Sequence, residues 1–394
     1  MAPSFSLNDA DSFPALAEIK SFTSRDHPPI SISDSGKPMK IVLIKRPPFS
    51  LPDGISHFLF SLANELMARG HEVVGITTRD PDLDRVAERF AYPNIPPITT
   101  LTDFDGQGYY FEFMTWLKYG SAIVASYQPD LIIVNGAVPC RFTAPSVTVA
   151  HDAEKRAFEG IFWPRWIYKV LLYRNTNKLV TTCSELVSSV AEDAIYPSRQ
   201  IGIIPTCITP ELYHPRPLSE RQQIIVHVGM HIYKNPLASI RSFLPMADRA
   251  VLYLVGSIDP EIARYVDALP ECQRSKILLP GIVRDDEFKH LLETARVVSV
   301  PSQYDSPVAS PTVLEAFACG TPVVVSTGIS RDLIKPGFNG YMTDDDAERT
   351  RAFEELLIDD TKWQSLSQGA VETTQTFSAS TVADQYLGLF SRAK

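Results

Sequence analysis

From Lys40 onward the chain alternates short, wholly apolar runs with loops and with segments of helical period. Ile41-Val42-Leu43-Ile44 is the first such run, and unbroken apolarity over that length marks a strand buried on both faces. A loop holding Pro47, Pro48, Pro52 and Gly54 follows. Ile55, Phe58, Leu59, Leu62, Ala63 and Leu66 then fall at helical spacing, Gly70 supplies a stop, and residues 71–77 read as the next strand. A strand, loop, helix and strand of this size make a βαβ crossover and hence a parallel sheet. The pattern predicts further strands at 131–134, 147–149, 179–182 and 201–204, with helices near 111–126, 162–173 and 185–194. Tyr213-His214-Pro215-Arg216-Pro217 interrupts it. A second series predicts strands at 224–228, 251–255, 277–279, 297–300 and 323–325, and helices near 238–243, 285–294 and 313–319.

Two consecutive βα series make the expected fold class α/β, with two doubly wound, Rossmann-like lobes. The expected organisation is a poorly ordered arm over 1–38, a first lobe over 39–214 and a linker over 215–222. A second lobe over 223–376 and a closing segment over 377–394 complete it. Composition narrows the class. With 37 Lys and Arg against 46 Asp and Glu in 394 residues, the net charge of −9 argues against a general nucleic-acid binder. Five scattered cysteines with no C-x-x-C pair argue against a disulfide framework or a cysteine zinc site, and for a reducing interior. No apolar run approaches the ~18–20 residues of a membrane span, and the first thirty residues lack a signal peptide's apolar centre. The expectation is a soluble, cytoplasmic protein.

In doubly wound sheets ligands bind outside the carboxyl ends of the strands, so the strand-exit loops carry the candidate chemistry. The first runs through Pro52-Asp53-Gly54 into a helix. Gly54 permits close approach of a ligand, and the helix start favours an anion. His151 follows the strand at 147–149 and titrates near neutrality. In the second series Gly229-Met230-His231-Ile232-Tyr233-Lys234 leaves a strand for a helix, where Gly229 permits close approach and Lys234 suits an anion. The longest informative stretch runs from Pro301 to Val325. Ser310 or Thr312 is placed to cap its helix, and the amides around Val313 suit a phosphate. Glu315 lies among Val313, Leu314, Ala316, Phe317 and Ala318. A carboxylate there is costly unless paired, and two sugar hydroxyls would serve.

With these residues in view, the sequence from Lys40 to its C-terminus resembles the retaining GT-B glycosyltransferases of family four. Pro301-Ser302 through Glu315-Ala316-Phe317-Ala318-Cys319-Gly320-Thr321-Pro322-Val323-Val324 carries the resemblance, supported by Gly54, Ala150-His151-Asp152, Leu212-Tyr213-His214-Pro215 and Gly281-Ile282-Val283. Thr376-Phe377-Ser378 and the segment after it resemble the family's closing helix, which crosses back to the first lobe. The resemblance implies an acceptor-binding first lobe and a second lobe holding a nucleotide-diphosphate sugar. It implies that Glu315 takes the ribose hydroxyls, Lys234 the diphosphate, Gly54 a place beside the diphosphate, His151 one near the transferred sugar, and Ile282 the edge of the base. It further implies front-face transfer with no resident cofactor and no metal. Asp82-Leu83-Asp84 and Asp103-Phe104-Asp105 have metal-pair spacing but fall in early loops of the other lobe.

The chain departs from the family pattern at several points. Met230 and His231 stand where the family has an arginine, so His231 becomes a candidate for the missing charge. Aligned from Pro301-Ser302, Asp305 takes the place of the first of two glutamates, ten positions before Glu315 rather than eight. Pro307 and Pro311 remove two amide donors, and Asp53 replaces a glycine. The expected catalytic set is His151, Lys234 and Asp305. Gly54, Gly229, His231, Lys234, Ile282, Ser310, Thr312, Val313 and Glu315 are expected to bind the donor. The expected acceptor is a glycan, lipid or small molecule. Residues 158–174, aromatic with interleaved basic residues, read either as an acceptor-lobe helix or as a face resting on an anionic membrane. Two rival functions stand: a nucleotide-sugar-binding subunit without turnover, and a nucleotide-sugar epimerase, which needs more acid–base carboxylates than Asp305 with His151 provides.

Overall fold

The structure, a computed structural model, describes residues 37–51, 53–102, 109–151, 176–194, 196–303 and 309–390. The expected helix at 162–173, the stretch 158–174, Asp305, Pro307, Asp103, Asp105, Asp152 and all but the last two residues of the arm lie outside them.

Two parallel sheets organise the chain. The first orders its strands β3-β2-β1-β4-β5-β6-β7. These are β1 (Lys40–Lys45), β2 (Glu72–Thr77), β3 (Ile98–Thr100), β4 (Leu131–Asn135), β5 (Ser146–Ala150), β6 (Lys178–Thr181) and β7 (Ile201–Ile203). The second orders β10-β9-β8-β11-β12-β13. Its strands are β8 (Ile224–Val228), β9 (Val251–Val255), β10 (Ile277–Gly281), β11 (Val297–Val300), β12 (Val323–Val325) and β13 (Gly340–Met342). The central strands β1, β4, β8 and β11 are buried along nearly their whole length, as covering both faces of a sheet with helices requires. Both strand orders reverse direction once, between β1 and β4 and between β8 and β11. These are the switch points at which a doubly wound sheet opens a crevice.

The first helix, Gly54–Ala68, starts where Asp53 accepts a hydrogen bond from the Ser56 N–H and ends before Gly70 at φ +86°. Its Phe58, Leu62 and Leu66 share a core with Ile41 and Leu43 of β1. The helical pattern near 111–126 is interrupted by a wide turn at Trp116–Gly120. There the fully buried Trp116 indole donates to Thr78 Oγ1 at 2.8 Å. The short strand β3 and the helices Pro260–Asp267, Asp346–Ile358 and Asp360–Thr376 add to the predicted elements. The last helix, Ala379–Gly388, leaves the second lobe and buries Val382, Ala383 and Tyr386 in the core of the first. Hydrogen bonds between Ile208 and the pair Phe377 and Ala379 fix that crossing.

Candidate functional site

The strand exits at the two switch points carry Gly54, Lys234 and Glu315, whereas His151 follows β5 and Ile282 follows β10. At the exit of β8, Gly229 adopts φ +92°, a conformation that favours glycine. A Cβ there would stand 2.9 Å from Lys234 Cγ, so the lysine stem lies against the glycine. Lys234 closes a short turn, Ile232–Lys234, and burial lowers its pKa. Among the described residues no carboxylate pairs with it. A partly desolvated ammonium of this kind suits an anionic ligand. Met230 is buried in the core behind the loop and cannot stand in for an arginine. His231 is exposed and stacks on Tyr233 at 5.6 Å between ring centroids. The loop after β11 joins this one through Gln303 N–H, which donates to the Tyr233 carbonyl at 2.8 Å.

Glu315 lies on the helix Pro311–Ala318, 6% exposed. Its Oε1 accepts from Tyr213 Oη at 3.3 Å and stands 3.9 Å from His57 Nδ1 of the first lobe. Burial first, then Asp285, push the carboxyl up to about 8, and burial lowers the pKa of His57. Both shifts favour the uncharged forms, so burial works against an ion pair here. Asp285 and Lys289 pair at 2.9 Å nearby, and Lys289 Nζ lies 5.2 Å from the Tyr213 ring centroid. Asp285 also accepts from the Ala91 N–H of the first lobe at 3.2 Å. A small cavity between the lobes is lined in part by Gly54, His57, Tyr92, Tyr213, Pro311 and Glu315, with about 10 Å³ open to a water-sized sphere. That is room for about one water molecule.

Two helix starts differ from the sequence expectation. Asp53, not an outside anion, occupies the start of the first helix. Its carboxylate also pairs with the fully buried Lys45, Nζ to Oδ1 3.0 Å. Gly54 does provide a close approach, but to Pro311: a Cβ at 54 would lie 2.5 Å from Pro311 Cγ. Ser310 holds the N-cap position of its helix without a side-chain cap bond, and its N–H donates to Ser330 Oγ at 2.9 Å. Pro311 has no N–H, and those of Val313 and Leu314 turn back onto the Ser310 carbonyl. The helix start thus offers a ligand mainly the Thr312 amide, which weakens the expected phosphate cradle over Ser310, Thr312 and Val313. Ile282 stands exposed at 76% beyond β10.

In the first lobe His151 follows β5, and its Nε2 sits 2.5 Å from Asn135 Oδ1 at the end of β4. Its ring lies edge-on to Phe58 at 5.8 Å. Asp82, of the early acidic pair, bonds Arg89 at 3.1 Å. Sequence reasoning gave no site role to His57, Tyr213, Asn135 or the Lys45–Asp53 pair. A histidine one turn into the helix that opens at Gly54 was the available signal for the first. The others depend on contacts between distant segments. Among the described residues, no three histidines, cysteines or carboxylates gather as a metal site, and no helix is long and apolar enough to cross a membrane.

Comparison with known proteins places this geometry. Residues 52–212 match the model described as Glycosyltransferase Family 4, and residues 222–359 the one described as Glycosyl transferases group 1. An uncharacterized glycosyltransferase of Methanocaldococcus jannaschii is 34% identical over 131 residues, 31% of this chain and 32% of that protein. The MMP alpha-(1->4)-mannosyltransferase of Mycolicibacterium hassiacum is 25% identical over 235 residues, 56% of this chain and 55% of that protein. The chain thus spans about a third and about half of these relatives. Anabaena Alr3699/HepE, solved in complex with UDP and glucose, superposes at a TM-score of 0.67 with 16% identity, covering 89% of this chain and 99% of that one. Sucrose-phosphate synthase from Thermosynechococcus elongatus superposes at 0.68 with 19% identity, covering 89% and 98%. The fold is that of the GT-B glycosyltransferases, and the two glycosyltransferase models match one lobe each.

Proposed function

We propose that this chain, built as a GT-B glycosyltransferase, moves a sugar from a nucleoside-diphosphate donor in its second lobe to an acceptor bound by the first. The observation that carries the reading is the presence of two polar groups at one switch point: the half-buried Lys234 after β8 and the buried Glu315 after β11. A diphosphate needs a cation and a ribose needs a hydroxyl-pair acceptor, and the adjacent strand exits hold one of each. Breaking the anomeric bond builds negative charge on the departing diphosphate, which Lys234 stabilises. In this reading the leaving oxygen takes the acceptor's proton and transfer proceeds with retention, as the resemblance to family four implies. No metal and no resident cofactor take part. His151 lines the acceptor side, oriented by Asn135, and Asp305 contacts the donor sugar. The acceptor is a glycan, a lipid or a small molecule. With about one water's room beside Glu315, donor entry requires the lobes to part.

A second reading has its own support. Pro311 against Gly54, Asp53 at the helix start and the buried Met230 each remove a phosphate contact, which suits a nucleotide-sugar-binding subunit without turnover. One experiment separates the two. A nucleotide-sugar panel read by thermal shift finds the donor, because a ligand of the native state raises its stability with concentration. Release of nucleoside diphosphate is then followed with and without candidate acceptors. Acceptor-dependent release that falls about tenfold or more in Glu315→Ala and Lys234→Ala supports transfer. Binding without release across the acceptors supports the subunit.

A further inference from the structure

Three wholly buried polar side chains line up beneath the Lys234 loop: His227 on β8, Ser239 on the helix Pro236–Phe243 and Ser299 on β11. Their neighbours in sequence, among them Val226, Ile240 and Val298, are core residues. An apolar residue at 227 would fill such a place at lower cost than an imidazole, unless the polar atoms are all satisfied.

They are satisfied, and in one direction only. His227 Nε2 lies 2.8 Å from the Gly229 carbonyl oxygen, and Nδ1 lies 2.9 Å from Ser239 Oγ. A carbonyl can only accept, so Nε2 carries the proton. Burial is the main cause that brings the imidazole pKa down to about 4, so the ring is neutral at pH 7 and Nδ1 is an acceptor. Ser239 must then donate to Nδ1, which leaves its oxygen to accept from Ser299 Oγ at 2.7 Å. The chain of donors runs Ser299, Ser239, His227 and ends on Gly229.

Gly229 is thereby held on both sides. Its N–H donates to the Val255 carbonyl at 2.8 Å, and its carbonyl is fixed by the imidazole. The stem of Lys234 packs on this glycine, within 2.9 Å of where a Cβ would be. The loop between them is short and closed by the Lys234 N–H to His231 carbonyl bond of 2.8 Å. Moving the Gly229 carbonyl therefore moves the floor on which the lysine rests.

We propose that His227 is a positioning residue: through the Gly229 carbonyl it fixes the loop that aims Lys234 at the diphosphate of the donor. The inference rests on the reading of Lys234 as the diphosphate ligand.

The test is calorimetric binding of UDP, GDP and ADP to the full chain, the tightest of the three then compared with its parent nucleoside. His227→Phe keeps a ring of similar volume without either nitrogen. It is expected to weaken the diphosphate about five- to tenfold, the worth of one lost hydrogen bond, and to leave the nucleoside unchanged. His227→Gln keeps an N–H for the Gly229 carbonyl and is expected to recover to within about threefold of wild type. Since His227 acts through Lys234, the double variant with Lys234→Ala should bind no more weakly than Lys234→Ala alone. Unchanged diphosphate binding in His227→Phe, equal loss for the nucleoside, or losses that multiply in the double variant would each overturn the positioning role. Wild-type binding in Lys234→Ala would instead overturn the donor-site reading, and this inference with it. Should His227→Phe not fold, Ser239→Ala reads the same chain, with an expected loss of about two- to threefold that vanishes in the Lys234→Ala background.

Discussion

His57 Nδ1, on the first helix of the first lobe, lies 3.9 Å from Glu315 Oε1 on the second. The contact joins the first lobe to the carboxyl group that we propose for the donor's ribose. It does not stand alone: Gly54 meets Pro311, Ala91 N–H donates to Asp285, and Thr206 Oγ1 donates to the Ala309 carbonyl at 3.3 Å. Together they close the two lobes over Glu315. The buried carboxyl is thereby covered by residues of the opposite lobe, and the strength of that cover becomes measurable.

Gly54→Ala tests the tightest point of this closure. The position is the first of a helix, where alanine is conformationally at ease. The added methyl would lie 2.5 Å from Pro311 Cγ and 3.2 Å from its Cδ, and a proline ring yields little. The expected loss is about 1–3 kcal/mol, the usual cost of overpacking, seen as a lower melting temperature. Pro311→Ala in the same chain should recover most of it. A Gly54→Ala protein as stable as wild type would mean that the lobes do not meet there.

The Lys45–Asp53 pair predicts a different kind of defect. Lys45 Nζ is fully buried and also donates to the Pro48 carbonyl at 2.8 Å and to Ser56 Oγ. Asp53→Ala leaves that ammonium without its counter-charge and the first helix without its cap. Breaking a buried pair costs about 3–5 kcal/mol; the low end applies because Asp53 itself is 38% exposed. The double change Lys45→Met with Asp53→Ala removes the stranded charge and should cost less than Asp53→Ala alone. Denaturant midpoints at constant slope decide it, and a double variant weaker than the single would refute the pairing.

Much of this architecture was legible in the sequence, because an apolar run such as Leu131–Val134 has no other place than the middle of a covered sheet. The strand exits, and so the neighbourhoods of Gly229, Lys234, His151 and Glu315, followed from it. What the pattern left out are features made by distant partners. β3 is a strand because Ile98, Thr99 and Thr100 find the edge of β2, not through any apolar period of their own. Asp53 read as an altered glycine position, whereas its meaning comes from Lys45 eight residues earlier. Tyr213 read as part of a proline-rich break between lobes. Its hydroxyl reaches Glu315 only because the chain folds back over 102 residues.

The five cysteines make a quick test of the packing as a whole. All are free, and Cys140, Cys183, Cys207 and Cys319 are buried while Cys272 is exposed. Burial pushes the Cys140 thiol up to about 12 and raises those of Cys183, Cys207 and Cys319. A buried thiol of raised pKa offers neither access nor thiolate. The native protein should therefore react rapidly with a thiol reagent at a single residue, lost in Cys272→Ser, and at five after denaturation. Two or more fast thiols in the native state would contradict the packing around the other four.

The last prediction concerns proton release on donor binding. Glu315 is held neutral by burial and by Asp285, opposed by the Tyr213 hydroxyl and by Lys289, with a pKa of about 8 against the usual 4.5. A carboxyl raised in the folded state contributes stability fully present below about pH 4.5 and lost as pH climbs through 8. Ribose hydroxyls donate to the ionised form, so ligand binding should draw the proton off. The affinity for a nucleoside diphosphate should then rise from pH 6.5 to 8.5, by up to about tenfold per pH unit below the pKa, and level off above it. His57 shifts the opposite way, its pKa lowered by burial, so its titration moves away from this range. Glu315→Gln cannot ionise and should bind weakly at every pH, with the Glu315 part of the rise gone. The free phosphate of a nucleoside diphosphate titrates near pH 6–7 in its own right, so the parent nucleoside is measured alongside. A pH profile for the nucleoside that is the same in wild type and Glu315→Gln would remove the carboxyl from the ribose site.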